Sequence, residues 1–483
     1  MRGRWSGIAM AGGVLVGACV DLDPYECQSS DQCRSEAGPG QCEAVGYCSY
    51  PDPQCDSGHR FSELAGPFAG ICVGPMSGSG SSSGEPMPME GSSTSGSMDL
   101  GVPSCGNGVV EEGEECDELD DVDGDGCNTD CVASGSVRWS RAVEAEPGRN
   151  ALLFGVTQLV SGDVVAVGHL ERDTVDALLV RWTVDGDEVA RVIYDVDGGV
   201  DQVESVTQGA TGLLYLCGRA SVARTARPWV GIWSADLPQT PQLDGTMPAN
   251  LGGPCADAVY IAENQIVGVG GNAGGGQAWV HRFPSWDSAS GDTAVTTGKG
   301  SHRFRAVVRA PDGAVMVAGQ VADFGVVYRP PSNQDIGEPL FQLPGTELQS
   351  LVVTEDMIVV GGRRLGSGYD EFWISSHDLD GVERWHWSPG AQGLDEVEDV
   401  AVDPAGNVYA IGFTTGVNNN PDRWIGKLDP GGTPIWQRSD YEDAEGCDRG
   451  RGIVVLPDGD LIVTAEVTND SGDEYGWIAR LAP

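Results

Sequence analysis

The sequence predicts an all-β chain built from repeats, and three observations predict it. From Ser136 onward, short β-branched runs ending in a small residue recur roughly every 50 residues: VVAVG (164–168), LYLCG (214–218), IVGVG (266–270), VMVAG (315–319), MIVVGG (357–362), VYAIG (408–412) and LIVTA (461–465). Turn signals such as Pro311-Asp312-Gly313, Asp403 to Asn407 and Pro457-Asp458-Gly459 sit just upstream of several of these runs. No stretch carries a helical hydrophobic period, so strands joined by tight turns are the only regular structure that the pattern supports.

Each repeat carries further strand-like runs around the glycine-ending one. An earlier run precedes it (AVYIA, AVVRA, DVAVD) and a later one follows (LLVRW, WVGIW, WIGKL, GWIARL). A fourth appears in several units, as in VERWHW and PIWQRS. Four strands per unit of about 50 residues is the geometry of a propeller blade, and seven units make a seven-bladed β-propeller over residues 136–483. A β-helix or a sandwich is the alternative. The last repeat reaches Pro483 after only three strands, while an unused strand around Trp139 lies before the first repeat. Pairing the two would leave no open sheet edge, which natural sheets avoid. Residues 397–412, VEDVAVDPAGNVYAIG, resemble the β-propeller repeat of bacterial exported proteins with its D-x-x-G-N-x-Y-x-x-G core. That resemblance implies a fold and no activity.

The residues before the repeats divide into four segments. Residues 1–18 read as an export signal, with Arg2 and Arg4 ahead of a short apolar stretch that is far from long enough to span a bilayer. The stretch ends in Val16-Gly17-Ala18-Cys19, which resembles the bacterial lipobox and implies lipidation of Cys19. Val20, rather than Asp, after it favours the outer membrane or cell surface. Residues 19–73 hold Cys27, Cys33, Cys42, Cys48, Cys55 and Cys72, and an even count in an exported chain points to disulfides whose pairing stays open. Residues 74–104 form a Gly/Ser/Pro-rich linker with too little apolar surface to fold. Its Gly80–Gly84 stretch matches GxSxG formally, but it lacks the strand and helix that motif needs.

Residues 105–135 carry Cys105, Cys116, Cys127 and Cys131. The run CGNGVVEEGEECDELDDVDGDGCNTDC resembles the cysteine-rich disulfide repeat of myxobacterial surface and secreted proteins, with Glu118 where that pattern has a second Asp. The resemblance implies location and no catalysis. Asp121, Asp123 and Asp125 in the same run suggest a calcium loop, but Val132 stands where an EF-hand has its Glu, so an acidic turn is the competing reading and no other cofactor is expected. Within the repeats, Cys217 and Cys255 are expected to pair, leaving Cys447 free.

Composition narrows function. Acidic residues outnumber basic ones 72 to 28, for a net charge of −44, and only Lys299 and Lys427 are lysines. Such a field repels phosphate backbones and argues against nucleic-acid binding. The six histidines form no paired-ligand motif. Counting back 12 to 14 residues from each small residue places one residue per blade near the channel mouth: Phe154, Glu204, Asp257, Arg305, Gln349, Glu398 and Arg451. Mixed carboxylates and guanidiniums around one opening suit an ion, a sugar or a peptide. Recurrent tryptophans (Trp182, Trp229, Trp233, Trp279, Trp373, Trp385, Trp387, Trp424, Trp436 and Trp477) are expected to pack between blades rather than stack on glycans. The expectation is therefore a monomeric, lipid-anchored surface protein whose propeller binds a glycan or protein, rather than an enzyme. The alternatives are a polysaccharide hydrolase or lyase using the channel, and a structural envelope protein.

Overall fold

A computed structural model describes residues 33–35, 38–42, 48–51, 59–61, 105–106, 110, 114–117 and 122–483, apart from 197, 223–224, 248–250, 252, 263–264, 273–275, 284–290, 332–334, 367–369, 390–392, 416–420, 440–447 and 470–471. The export signal with Cys19, the 74–104 linker, Cys27, Cys55, Cys72, Asp121 and Cys447 lie outside the described residues. The described chain is all-β, without a helix.

From residue 137 onward the described strands form seven successive four-stranded antiparallel meanders. Their first strands are Ala151–Gln158, Gln202–Gln208, Cys255–Ala262, His302–Arg309, Thr346–Val353, Glu396–Val402 and Arg449–Val455. These strands touch one another in chain order, and the seventh touches the first. Units three and four also share a sheet through Gly271↔Arg303 and Asn272↔His302. The seventh unit has only three strands of its own, and Val137–Val143 supplies the fourth by pairing with Glu474–Leu481.

The second strands are continuously apolar because both of their faces are covered. In the first unit Val165 and Val167 pack toward Leu214, Leu216, Trp229 and Trp233 of the second. Val164 and Ala166, pointing the other way, pack against Ile462 and Ile478 of the seventh. Alternating side chains thus serve two neighbouring cores, so the period-two polar signal disappears. Similar apolar layers lie between each following pair of units.

Four disulfides join described cysteines: Cys33–Cys48, Cys105–Cys131, Cys116–Cys127 and Cys217–Cys255. Cys42 is disulfide-bonded as well. The 105–135 segment rests on the sixth and seventh units. Lys427 Nζ donates to the Gly124 carbonyl at 2.7 Å, Arg438 Nε donates to Ser134 O at 2.7 Å, and Arg138 pairs with Asp130. One of the chain's two lysines is therefore spent on holding this module.

Candidate functional site

Each of the seven first strands carries a β-bulge at the same place, between Leu153 and Gly155, Val203 and Ser205, Cys255 and Asp257, Phe304 and Ala306, Leu348 and Ser350, Val397 and Asp399, and Gly450 and Gly452. A bulge inserts one residue that has no ladder partner and turns it out of the sheet. The inserted residues are Phe154, Glu204, Ala256, Arg305, Gln349, Glu398 and Arg451, and all seven line a single cavity of about 250 Å³.

The glycine-ending runs are the other half of the same device. Opposite the bulge the two backbones come so close that a Cβ on Gly168, Gly218, Gly319, Gly362 or Gly412 would meet the carbonyl oxygen of Leu152, Gln202, Arg303, Glu347 or Glu396. Only glycine fits there. In the fifth unit the register puts Gly362, not Gly361, opposite the bulge, and in the seventh Ala465 faces Gly450.

This geometry corrects one expected site residue. Asp257 does not line the cavity; Ala256 does. Counting 13 rather than 14 residues back from Gly270 passes the bulge, and the next residue faces the following unit. There Asp257 accepts the N–H of Val307 at 2.8 Å, as Asp399 accepts that of Ile453 at 3.0 Å. Burial pushes the Asp257 carboxyl up to about 7 and Asp399 up to about 6, against the hydrogen bonds that pull them down.

The cavity also holds Arg303, Glu347, Arg363 and Glu396, which the sequence reading missed. Arg303, Glu347 and Glu396 lie two residues before a bulged position, and Arg363 follows the glycine of its second strand. Strand alternation from the bulge position was the available signal. Glu347 accepts from Arg303, from Arg363 at 2.9 Å and from Gln349 at 3.1 Å. Burial alone would raise its carboxyl, but Arg303 and Arg363 hold it below the ordinary value. Arg363 also lies 3.4 Å from Glu396, which accepts from Gln349. Burial, then the neighbouring Glu398, raise Glu396. Arg451 donates to Glu398 at 2.9 Å and Glu466 at 2.8 Å. These two acids outweigh its burial and raise its pKa further.

The lining is uneven in consequence. Units five to seven, together with Arg303 of unit four, tie their charges into this network. Among the described residues Glu204 accepts only from the Gln202 amide, at 2.9 Å, and burial raises its carboxyl although Arg305 and Arg219 counter it. Arg305 belongs to no ion pair among the described residues, and its Nε is buried without a hydrogen bond. Beside them, His169 packs against Phe154 at 5.5 Å, and burial lowers its imidazole to about 4, so it is neutral at physiological pH.

The acidic turn and the tryptophans make contacts of their own. Asp123 accepts the N–H of Thr129, and the Asp123–Asp125 turn is bound through Gly124 to Lys427. Glu114, Asp117 and Cys131 cluster at ligand-like spacing, but the Cys131 sulfur is committed to Cys105 and no thiolate is present. Eight of the ten recurrent tryptophans are buried between sheets, and Trp385 and Trp387 are half-buried.

No protein-family model matches the chain, and no curated protein matches it. Among solved structures it is similar to Sqt1 from Chaetomium thermophilum at 13% identity, covering 70% of this chain and 97% of that one with a TM-score of 0.43. A protein of unknown function from Dyadobacter fermentans DSM 18053 aligns at 12% identity, over 73% of this chain and 100% of that one, with a TM-score of 0.45. Similarity of this degree carries no argument about function.

Proposed function

We propose that residues 136–483 form a closed seven-bladed β-propeller and that its central cavity binds a small polar ligand, on a protein anchored at the bacterial cell surface through Cys19. The observation that carries the binding reading is the conserved placement within this one chain of a bulge in all seven units, each sending its inserted residue into one shared cavity. A ring held only for packing has no need of charged residues at the inserted position. Five of the seven are Glu, Arg or Gln, and each draws a desolvation penalty. Closure is supported by the contact of the seventh first strand with the first and by the strand Val137–Val143 in the last sheet. The surface location rests on the disulfides and on the lipobox-like start.

Two observations favour a small ligand over polysaccharide hydrolysis or a glycan platform. The carboxylates Glu347, Glu396 and Glu398 each already hold a guanidinium, which leaves no pair of free carboxyls among the described lining residues to serve as acid and nucleophile. The tryptophans suited to sugar stacking are mostly buried.

The test is a thermal-shift screen of the full chain against sugars, amino acids, peptides, carboxylates and divalent ions. A ligand at about 100 times its Kd stabilises by about 2.7 kcal/mol, a readily measured shift. The expected result is a saturable hit that Arg305→Gln weakens. Absence of any hit on well-folded protein overturns the reading.

A further inference from the structure

We propose that the cavity takes a small zwitterion, its ammonium on Glu204 and its carboxylate on Arg305; this rests on the cavity being the binding site. The inference comes from what the lining leaves unpaired. The charges of units five to seven each meet an opposite one, with Arg303 of unit four joining them: Glu347 with Arg303 and Arg363, Glu396 with Arg363, Glu398 with Arg451. These groups are mutually neutralised and need no ligand. Across units two to four the inserted residues are Glu204, Ala256 and Arg305. The acid and the guanidinium are separated by the unit whose inserted residue is a methyl group.

Ala256 is the smallest of the seven inserted residues, so the space a longer side chain would fill is left open between the two charges. Arg305 interacts with Glu204 across this gap, and with Glu347, without forming an ion pair among the described residues, and Arg219 and Arg451 act on Glu204 more weakly. Two opposite charges that face one space and fail to meet are each incompletely compensated for their loss of water. A molecule carrying both an ammonium and a carboxylate satisfies both, whereas a simple anion or cation satisfies one and leaves the other stranded. Phe154, next to Glu204 in the ring of inserted residues, is the one aromatic among them, with the Arg451 guanidinium over its ring at 5.6 Å. A volume of about 250 Å³, roughly eight waters' worth, suits a small molecule.

The experiment is calorimetric titration of the full chain with glycine, β-alanine, 4-aminobutyrate and 6-aminohexanoate, beside butylamine and butyrate as single-charge probes. The expected result is saturable binding of at least one zwitterion, about tenfold or more tighter than either single-charge probe. Glu204→Gln and Arg305→Gln should each weaken it about tenfold or more. Ala256→Leu keeps every charge and fills the gap, and should abolish binding. The wild-type comparison needs no variant, so a misfolded variant does not spoil it. Equal binding of butyrate or butylamine, or no zwitterion binding, overturns the proposal. If no zwitterion binds but another ligand class does and Ala256→Leu blocks it, the zwitterion fails and the cavity reading survives. If no class binds, both fail.

Discussion

Asp257 and Asp399 occupy one place in two units, directly after the bulge, and each bridges to the backbone of the next unit. Burial makes both carboxyls bind a proton more tightly folded than unfolded, up to about 7 and about 6. The sign follows: stability from the protonated form is complete below about pH 4 and is lost as pH rises through the folded values. These two carboxyls should therefore contribute more stability at pH 5 than at pH 8, opposing the buried His169, whose contribution falls as pH drops, and Asp257→Asn, which still accepts the Val307 N–H, should lower the melting temperature at pH 5 relative to that at pH 8. An unchanged pH slope in calorimetry would remove Asp257 from the account. Gly412→Ala is the matching steric test. Its Cβ would meet the Glu396 carbonyl oxygen, so about 1–3 kcal/mol should be lost in urea unfolding, whereas Gly245→Ala, with open space around it, should change little. At this scale the sequence showed the glycines and six of the seven inserted residues. It missed Ala256, which keeps the ordinary offset of 14 from Gly270, because a count of 13 lands on Asp257, and one residue reverses which way a strand side chain points.

The strands themselves were legible because each second strand is a β-branched run bounded by a turn. In five units that turn contains a glycine at positive φ, Gly162, Gly212, Gly313, Gly406 and Gly459, between +81° and +95°. Between elements, the Cys217–Cys255 bridge ties the second strand of unit two to the first strand of unit three, with Cα atoms 5.4 Å apart. Replacing both cysteines by alanine should lower stability by about 2–4 kcal/mol in urea unfolding, and no loss would show that the packed tryptophans of these units suffice. The inter-sheet pairing of Phe372, Trp387 and Trp424, with ring centroids 4.5 to 6.3 Å apart, was not readable, because aromatic contacts depend on which sheet faces meet.

For the whole molecule, the decisive contact is the pairing of Val137–Val143 with Glu474–Leu481, which joins residues more than 300 positions apart. A chain beginning at residue 144 lacks that strand and exposes the ladder groups of Glu474–Leu481. It should melt at a lower temperature and self-associate in light scattering, since an uncovered edge recruits another strand. An equally stable, monodisperse truncated chain would show that the edge is protected by other means. The 105–135 module bears on the same region, through Lys427 and Arg438 on neighbouring units and through Gly135 N donating to Ala482 O.

The sequence by itself determined the all-β class, the repeat length, the turns and the complementary ends, because strand periodicity and turn chemistry are local properties of a few adjacent residues. It also determined that a charged residue stands at one recurring place in four of the units. Only the tertiary structure decided which of these charges neutralise each other. Arg303, Glu347, Arg363 and Glu396 become partners when first and second strands of different units meet around one cavity, while Glu204 and Arg305 remain apart across Ala256. Pairing between charges depends on distances of a few ångströms in space, and no spacing along the chain encodes those distances.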